Sequence, residues 1–279
     1  MKHFASIISL AGALALGACG ESKVAVYDAS PSPGLITKLG LNPFATAKPD
    51  PEAERRALSL SNAVKAFEDS ALRVNATPVT EVARWTGTIF LGVADDSTLR
   101  VHAAEIEAAV RAIAAIARVP VQRVSPGDGR RNFMVHPHAS GHLDATSCRS
   151  RLDWDEGGRL LSVELLVSLD RPALISRCIN HEAMHGFGFR GHPTSVVSVL
   201  SYTHANQSQP TEADRVLIET LYDKRLKPGM SPAAAAPIAC RVIAEKLDSS
   251  PAETESVCGA REMVTVSSEG PFGHGRALR

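Results

Sequence analysis

The sequence lacks an excess of charge of either sign. It contains 30 lysine and arginine residues against 30 aspartate and glutamate residues, so its formal net charge at pH 7 is +0. Proteins that bind nucleic acid usually carry a basic excess or a basic stripe. The balanced charge therefore gives no support for a nucleic-acid partner.

Long hydrophobic runs are also scarce. Charged residues make up 22% of the 279 residues, and one apolar run, at residues 4–16, approaches membrane character. A helix that spans a membrane needs about 20 predominantly apolar residues in succession. The composition therefore excludes a polytopic membrane protein and indicates a globular chain, long enough for one large domain or two small ones.

The N-terminus predicts a secretory signal and a lipid anchor. The apolar run follows a short basic start and is too short to be interpreted first as a spanning helix. It ends in LGAC, residues 16–19, which resembles the lipobox of bacterial lipoproteins. That resemblance implies cleavage after residue 18 and acylation of Cys19, and Gly20 in place of Asp implies sorting to the outer membrane, facing the periplasm. A plain signal peptide with an accidental cysteine is the alternative.

Four further cysteines follow the lipobox: Cys148, Cys178, Cys240 and Cys258. An even number in an oxidising compartment predicts two disulfides, for which three pairings exist. We favour Cys148 with Cys178 and Cys240 with Cys258, because each pair brackets one local unit. The spacings are not those of a zinc ribbon.

Changes in composition along the chain predict four regions. Residues 1–18 form the signal peptide, and residues 19–52, rich in Pro, Ser, Ala and Gly, form the lipidated cysteine and a flexible tether. Residues 53–265 form a domain whose core covers about residues 80–245. Residues 266–279 are predicted to be disordered.

The periodicity of apolar residues predicts the elements of this domain. Helices are predicted at residues 51–71, 103–117, 172–187, 211–224 and 232–247, and strands at residues 84–93, 132–136 and 159–169. The segment from Thr211 to Asp214 resembles a capping box that opens the helix at residues 211–224. This order of strands and helices is typical of an α+β domain.

The residues that carry chemistry lie in the predicted helix 172–187. His181, Glu182 and His185 form the motif H-E-x-x-H. Residues four apart lie on one face of a helix, so both imidazoles can bind one Zn²⁺. Glu182 lies beside them and can accept a proton from an attacking water, whose pKa the metal lowers. A chance match on a helix is the alternative.

The segment that starts at this motif resembles the metzincin zinc peptidases, whose pattern is H-E-x-x-H-x-x-G-x-x-H followed by a Met-turn. Gly188 matches the glycine at which the helix of that family ends. The third histidine of the pattern falls on Gly191, and His192 follows one place later. The resemblance implies His192 as the third ligand, with His204 in reserve.

Residues 198–202, SVLSY, resemble the Met-turn, with Leu200 where the family has a methionine that forms a hydrophobic base beneath the metal. Tyr202 has the spacing of the tyrosine that stabilises the oxyanion in astacin-like members. The resemblance implies a metzincin-like domain with a small mixed sheet, a helix carrying H-E-x-x-H and a mostly helical C-terminal part. It also implies one Zn²⁺ and a polypeptide substrate.

A wider resemblance, over roughly residues 80–245, is to a bacterial family of uncharacterised lipoproteins. Its members share a C-x-x-(H/E)-E segment with a following F-G-F-like turn, an S-x-x-S-V segment, and a later L-Y-D segment ending in P-G-M. These stand here at residues 178–189, 195–202 and 221–230.

The sequence therefore predicts a zinc-dependent peptidase held in the bacterial envelope through its lipid alone. His181, His185 and His192 are the predicted zinc ligands, Glu182 the general base and Tyr202 the group that stabilises the oxyanion. Two alternatives stay open: a non-catalytic interaction or scaffolding lipoprotein with a degenerate site, and a zinc amidase that acts on cell-wall peptides.

A second group of histidines comprises His136, His138 and His142. Pro137 interrupts their predicted strand, and no carboxylate completes a metal-binding pattern. We interpret them as residues near the cleft.

Overall fold

The computed structural model describes residues 23–28, 54–55, 58–138, 148–168, 175–202 and 209–268. The predicted signal peptide and lipidated Cys19 lie outside these residues, as do most of the tether and the last residues of the predicted tail. The same holds for His142 and for the reserve ligand His204.

The fold is mixed α+β, as predicted. The described strands are β1 (Lys23–Asp28), β2 (Arg73–Val74), β3 (Thr77–Pro78), β4 (Ile89–Val93), β5 (Val121–Arg123), β6 (Phe133–His138), β7 (Arg149–Trp154) and β8 (Leu160–Ser168). The described α-helices are α1 (Leu60–Phe67), α2 (Ser97–Arg100), α3 (Ala103–Ala117), α4 (Ile175–Gly186), α5 (Glu212–Leu221), α6 (Pro232–Lys246) and α7 (Pro251–Ser268). A π-helical turn, Glu68–Leu72, continues α1.

Six strands form one mixed sheet in the order β1-β7-β8-β6-β4-β5. Strands β5, β4, β6 and β8 are parallel to one another, whereas β7 is antiparallel to both β8 and β1. β4 is buried at four of its five positions, as expected for a parallel strand covered on both faces. The sheet forms one side of the core on which the helices pack.

Helix α4 lies against β7, β8 and α3. Its Gly186 lies so close to the Phe133 ring that an added Cβ atom would come within 2.8 Å of ring carbons. The Trp85 indole donates to the Gly186 carbonyl at 2.9 Å. Both contacts fix the C-terminal end of α4 on the sheet.

Several predicted bounds agree closely with the structure. Helix α3 has the predicted bounds, and α6 differs from its prediction by one residue. Thr211 and Asp214 form a reciprocal capping box at the start of α5, as the sequence indicates. Side-chain capping at a helix start is local in sequence, which makes it predictable.

Three predicted elements differ from the structure. The strand predicted at residues 84–93 begins only at Ile89. The Arg84 side chain donates to the carbonyls of Leu221 and Asp223, at the end of α5 and just after it. The Arg84 backbone makes an isolated bridge with Arg159 and does not extend the strand. The helix predicted at residues 51–71 is divided at Ser59, which caps α1. The strand predicted at residues 132–136 continues as β6 through Pro137 to His138, paired with β8. A proline has no N–H to donate, and it is tolerated here because the pairing of β6 with β4 ends at Val135.

Seven described elements were not predicted from the sequence. β2, β3, β5 and α2 have four residues or fewer, and the longer ones are β1, β7 and α7. β1 falls within the range assigned to the tether and pairs with β7 at the edge of the sheet. In the described part of the chain, no helix combines the length and the apolar character that crossing a bilayer requires.

The structure confirms both predicted disulfides. Cys148–Cys178 joins the start of β7 to α4, across 30 residues of sequence. Cys240–Cys258 joins α6 to α7, across 18 residues. α6 and α7 follow each other in the chain, and β8 alone among the described elements lies between β7 and α4, so each bond closes a short loop of the chain.

We expect the two disulfides to have different effects when they are removed. In Cys240→Ala/Cys258→Ala, the lost constraint on the unfolded chain should lower the free energy of unfolding by about 3 kcal/mol. Metal binding should be unchanged, because neither helix carries a residue of the histidine cluster described below. Urea unfolding and metal titration measure the two effects.

The matched variant is Cys148→Ala/Cys178→Ala, which releases α4 itself. This variant should lose stability and also bind metal more weakly. Equal metal affinity in both double variants would contradict a role for Cys148–Cys178 in holding the helix.

Candidate metal centre

The turn after α4 depends on a glycine. Gly188 has a φ of +104°, and a Cβ atom at this position would lie 2.1 Å from the Ala83 carbonyl oxygen. Its amide donates to the His185 carbonyl at 2.8 Å, which closes the end of the helix. The chain can therefore turn back over α4, as the resemblance to metzincins implies.

The position of Gly191 explains why the third histidine comes one residue late. The amides of Arg190 and Gly191 both donate to the Ser70 carbonyl in the π-helical turn. A Cβ atom on residue 191 would lie 2.0 Å from the Asp69 carbonyl oxygen. A histidine cannot occupy this position, and the next residue, His192, carries the imidazole instead.

The structure brings His181, His185 and His192 together. Nε2 of His185 lies 3.1 Å from Nε2 of His181 and 3.2 Å from Nε2 of His192. The candidate ligand atoms of the three residues all lie within 4.8 Å of one another. His181 and His185 are fully buried.

Backbone carbonyls fix the orientation of the two helical imidazoles. His181 Nδ1 donates to the Val199 carbonyl at 2.7 Å, and His185 Nδ1 donates to the Phe189 carbonyl at 2.6 Å. Because each Nδ1 carries the proton, the neutral ring presents an unprotonated Nε2. The two Nε2 lone pairs then face each other and cannot form a hydrogen bond between themselves.

The pKa values of all three histidines are lowered. Burial, followed by the positive charges of neighbouring groups, brings the pKa of His181 well below its usual value. Burial alone brings the pKa of His185 to about 4. Burial and the charges of His185 and Arg177 bring that of His192 to about 2. At neutral pH the cluster therefore presents three neutral imidazoles.

Three neutral imidazoles this close together, two of them buried and that of His192 partly buried, can hold a metal ion. Among the described residues, no other group of three histidine, cysteine or carboxylate side chains meets in this way. His136 and His138 lie on β6 and do not form such a group.

Tyr202 lies directly beside this cluster. Its ring stacks on the His192 imidazole with centroids 4.0 Å apart, and it also faces His181 at 6.0 Å. Leu200 is fully buried in a turn that the Ser201 amide closes by donating to the Ser198 carbonyl.

Glu182 and Arg177 complete the surroundings of the cluster on α4. Glu182 is fully buried. Burial lowers the pKa of Arg177, whereas the charges of Tyr202 and Glu182 act in the opposite direction. The Arg177 guanidinium therefore interacts electrostatically with both Tyr202 and Glu182. Arg177 lies outside the H-E-x-x-H motif, so the sequence alone gives no sign of it.

Asp214 is a second residue that the sequence analysis did not assign to the site. It is fully buried on α5, and its carboxylate accepts from the Val199 amide at 3.0 Å and from the Ser198 hydroxyl at 2.5 Å. The same carboxylate accepts from the Thr211 amide at 2.9 Å. Burial raises the pKa of Asp214, and these hydrogen bonds oppose the rise.

Asp214 therefore holds the backbone amide of Val199, the residue whose carbonyl orients His181. Its sequence signal, the capping box, indicated the start of α5 and gave no sign of this second role.

A family model described as "Protein of unknown function (DUF2927)" matches residues 61–240, which is more than half of the chain. The chain belongs to this family. The DUF2927 segment includes the three histidines, Glu182, Tyr202 and Asp214. Neither a curated protein nor a solved structure matches the chain.

We expect Asp214→Asn to weaken metal binding by the DUF2927 domain. The amide has one acceptor oxygen where the carboxylate has two, so Val199, the residue whose carbonyl orients His181, loses part of its support. Loss of such an outer partner typically lowers metal affinity by about 10- to 100-fold. Competition with a chelator of known affinity measures the change.

Asp223→Asn is the matched control, because it removes one carboxylate that pairs with the surface residue Arg225. This variant should keep the wild-type metal affinity. If a folded Asp214→Asn protein also kept that affinity, the proposed link from Asp214 to His181 would be wrong.

Proposed function

We propose that this protein is a zinc-dependent peptidase, attached to the bacterial envelope by a lipid on Cys19. The observation that carries the proposal is the close grouping of three neutral imidazoles, two buried and one partly buried, with Glu182 next to the first of these histidines in the chain. The resemblance of residues 181–202 to metzincin peptidases supports the same activity and a polypeptide substrate.

The donor set suits zinc. Zinc binds histidine nitrogen at about 2.0–2.1 Å and prefers tetrahedral geometry, which separates two ligand nitrogens by about 3.3 Å. The two measured separations between Nε2 atoms are 3.1 Å and 3.2 Å. A set of three protein ligands is typical of catalytic zinc sites, since structural sites usually have four.

Zinc would lower the pKa of a water molecule and polarise the substrate carbonyl. In this proposal Glu182 accepts the proton of the attacking water and then donates it to the leaving amine. Its burial removes competing solvent from this transfer.

Tyr202 would act on the carbonyl oxygen of the substrate. Its hydroxyl donates a hydrogen bond as that oxygen gains negative charge, which is the role of an oxyanion-hole donor. The stacking of its ring on His192 supports this role, because it holds the phenol beside a ligand of the metal.

Two features support a location in the envelope. The LGAC sequence at residues 16–19 resembles a lipobox. The two disulfides are typical of a protein that is exported to an oxidising compartment.

The first test is the zinc content of the full-length protein, exported so that its cysteines oxidise, and measured by mass spectrometry. The wild type and Glu182→Ala should each contain about one zinc per chain, because Glu182 is not a ligand. His185→Ala should contain none. His102→Ala, which changes a histidine outside the cluster, should keep the metal.

Hydrolysis then distinguishes the candidate activities. The wild type should cleave casein, and Glu182→Ala should lose this activity while retaining zinc. Cleavage of purified peptidoglycan but not of casein would favour the amidase. Zinc binding without either activity would favour a scaffold that has kept a degenerate site, and absence of zinc after reconstitution would contradict the proposal as a whole.

A further inference from the structure

Arg177 has hydrogen-bond donors that nothing in the described structure accepts. Its Nε and Nη2 atoms are buried, and neither has a hydrogen-bond partner among the described residues. Guanidinium groups are charged at every physiological pH and carry five N–H donors in a planar fork. Burying such donors without an acceptor is unfavourable, so a group that binds there would gain their hydrogen bonds.

The location of Arg177 relates it to the metal centre. It precedes His181 by one turn of α4, so the two residues share a face of the helix. Its positive charge contributes to the lowered pKa values of His181 and His192. The guanidinium is therefore near enough to the cluster for its charge to act on two of the three imidazoles.

The nearby carboxylate of Glu182 does not satisfy these donors. Its charge acts on Arg177, but no hydrogen bond joins it to Arg177 Nε or Nη2. An arginine that only neutralised Glu182 would be expected to form a direct, charge-assisted hydrogen bond. The arrangement instead leaves two adjacent N–H groups for a planar anionic group.

We propose that Arg177 binds a carboxylate of the substrate, at a point one helical turn away from the metal. This inference rests on the proposed peptidase function and names the feature that its substrates share. Two parallel hydrogen bonds from Nε and Nη2 match the two oxygens of a carboxylate. In a peptide, that group is the C-terminal carboxylate or an acidic side chain.

The test compares metal-binding probes with and without a carboxylate. Acetohydroxamate binds zinc alone, whereas malonyl, succinyl and glutaryl monohydroxamates add a carboxylate at increasing distance. Titration calorimetry on the zinc-loaded full-length protein should show at least one of the three binding about tenfold more tightly than acetohydroxamate. The most favourable probe reports the separation between the metal and Arg177.

Variants at residue 177 assign the gain to its side chain. Arg177→Met should bind acetohydroxamate like the wild type and lose the gain from the carboxylate. Arg177→Lys keeps the charge without the planar fork and should keep part of the gain. Arg130→Met, which removes an exposed arginine paired with Asp128, should keep all of it.

The outcomes separate this inference from the proposed function. If acetohydroxamate does not bind, the zinc site itself is wrong. If acetohydroxamate binds and the carboxylate adds nothing, or if the gain persists in both Arg177 variants, the role of Arg177 is wrong and the zinc site stands. A folded Arg177→Met protein that has lost zinc would also overturn the inference, because it would assign Arg177 to support of the metal site.

Peptide competitors then identify the source of the carboxylate. Two peptides of one sequence, ending in a carboxylate or in an amide, should differ in their competition with succinyl monohydroxamate if the C-terminus is recognised. An amidated peptide that contains aspartate should compete instead if an acidic side chain is recognised. Equal competition by a neutral amidated peptide would contradict recognition of a carboxylate.

Discussion

The hydrogen bond from His181 Nδ1 to the Val199 carbonyl is the interaction on which the histidine cluster depends. It assigns the proton to Nδ1 and so leaves the Nε2 lone pair directed at the other imidazoles. The amide of the same residue, Val199, donates to Asp214, which α5 supplies through its capping box. One residue therefore connects the first turn of α5 to the orientation of an imidazole on α4.

Much of this arrangement could be predicted because it is local in sequence. The histidines at residues 181 and 185 share a helix face, and the two disulfides join cysteines only 30 and 18 positions apart in the sequence. Asp214 and Arg177 could not be found in this way. The partners of Asp214 include Val199, 15 positions earlier in the chain, and the significance of Arg177 lies in burial without an acceptor, which no residue pattern encodes.

The strands that sequence reasoning missed have a common physical cause. β7 alternates exposed or partly exposed arginine and aspartate with buried residues, so its apolar content is low despite its regular pairing. β1 lies next to it at the edge, in a stretch whose neighbours are rich in proline and serine. An edge strand such as β1 forms by pairing with a strand that is distant in the chain, so its own composition is only a weak indication that it is a strand.

The contact between Gly191 and the π-helical turn also has a consequence for how such sites are recognised in other chains. A motif that requires histidine at this position excludes the present arrangement, although His192 delivers its imidazole to the same cluster. A definition based on the shape of the turn would include this arrangement. It would require a glycine in the left-handed region, as Gly188, then a second glycine packed against a neighbouring backbone, as Gly191, and then the histidine. Homologues with this one-residue offset would be found through their glycines before their histidines.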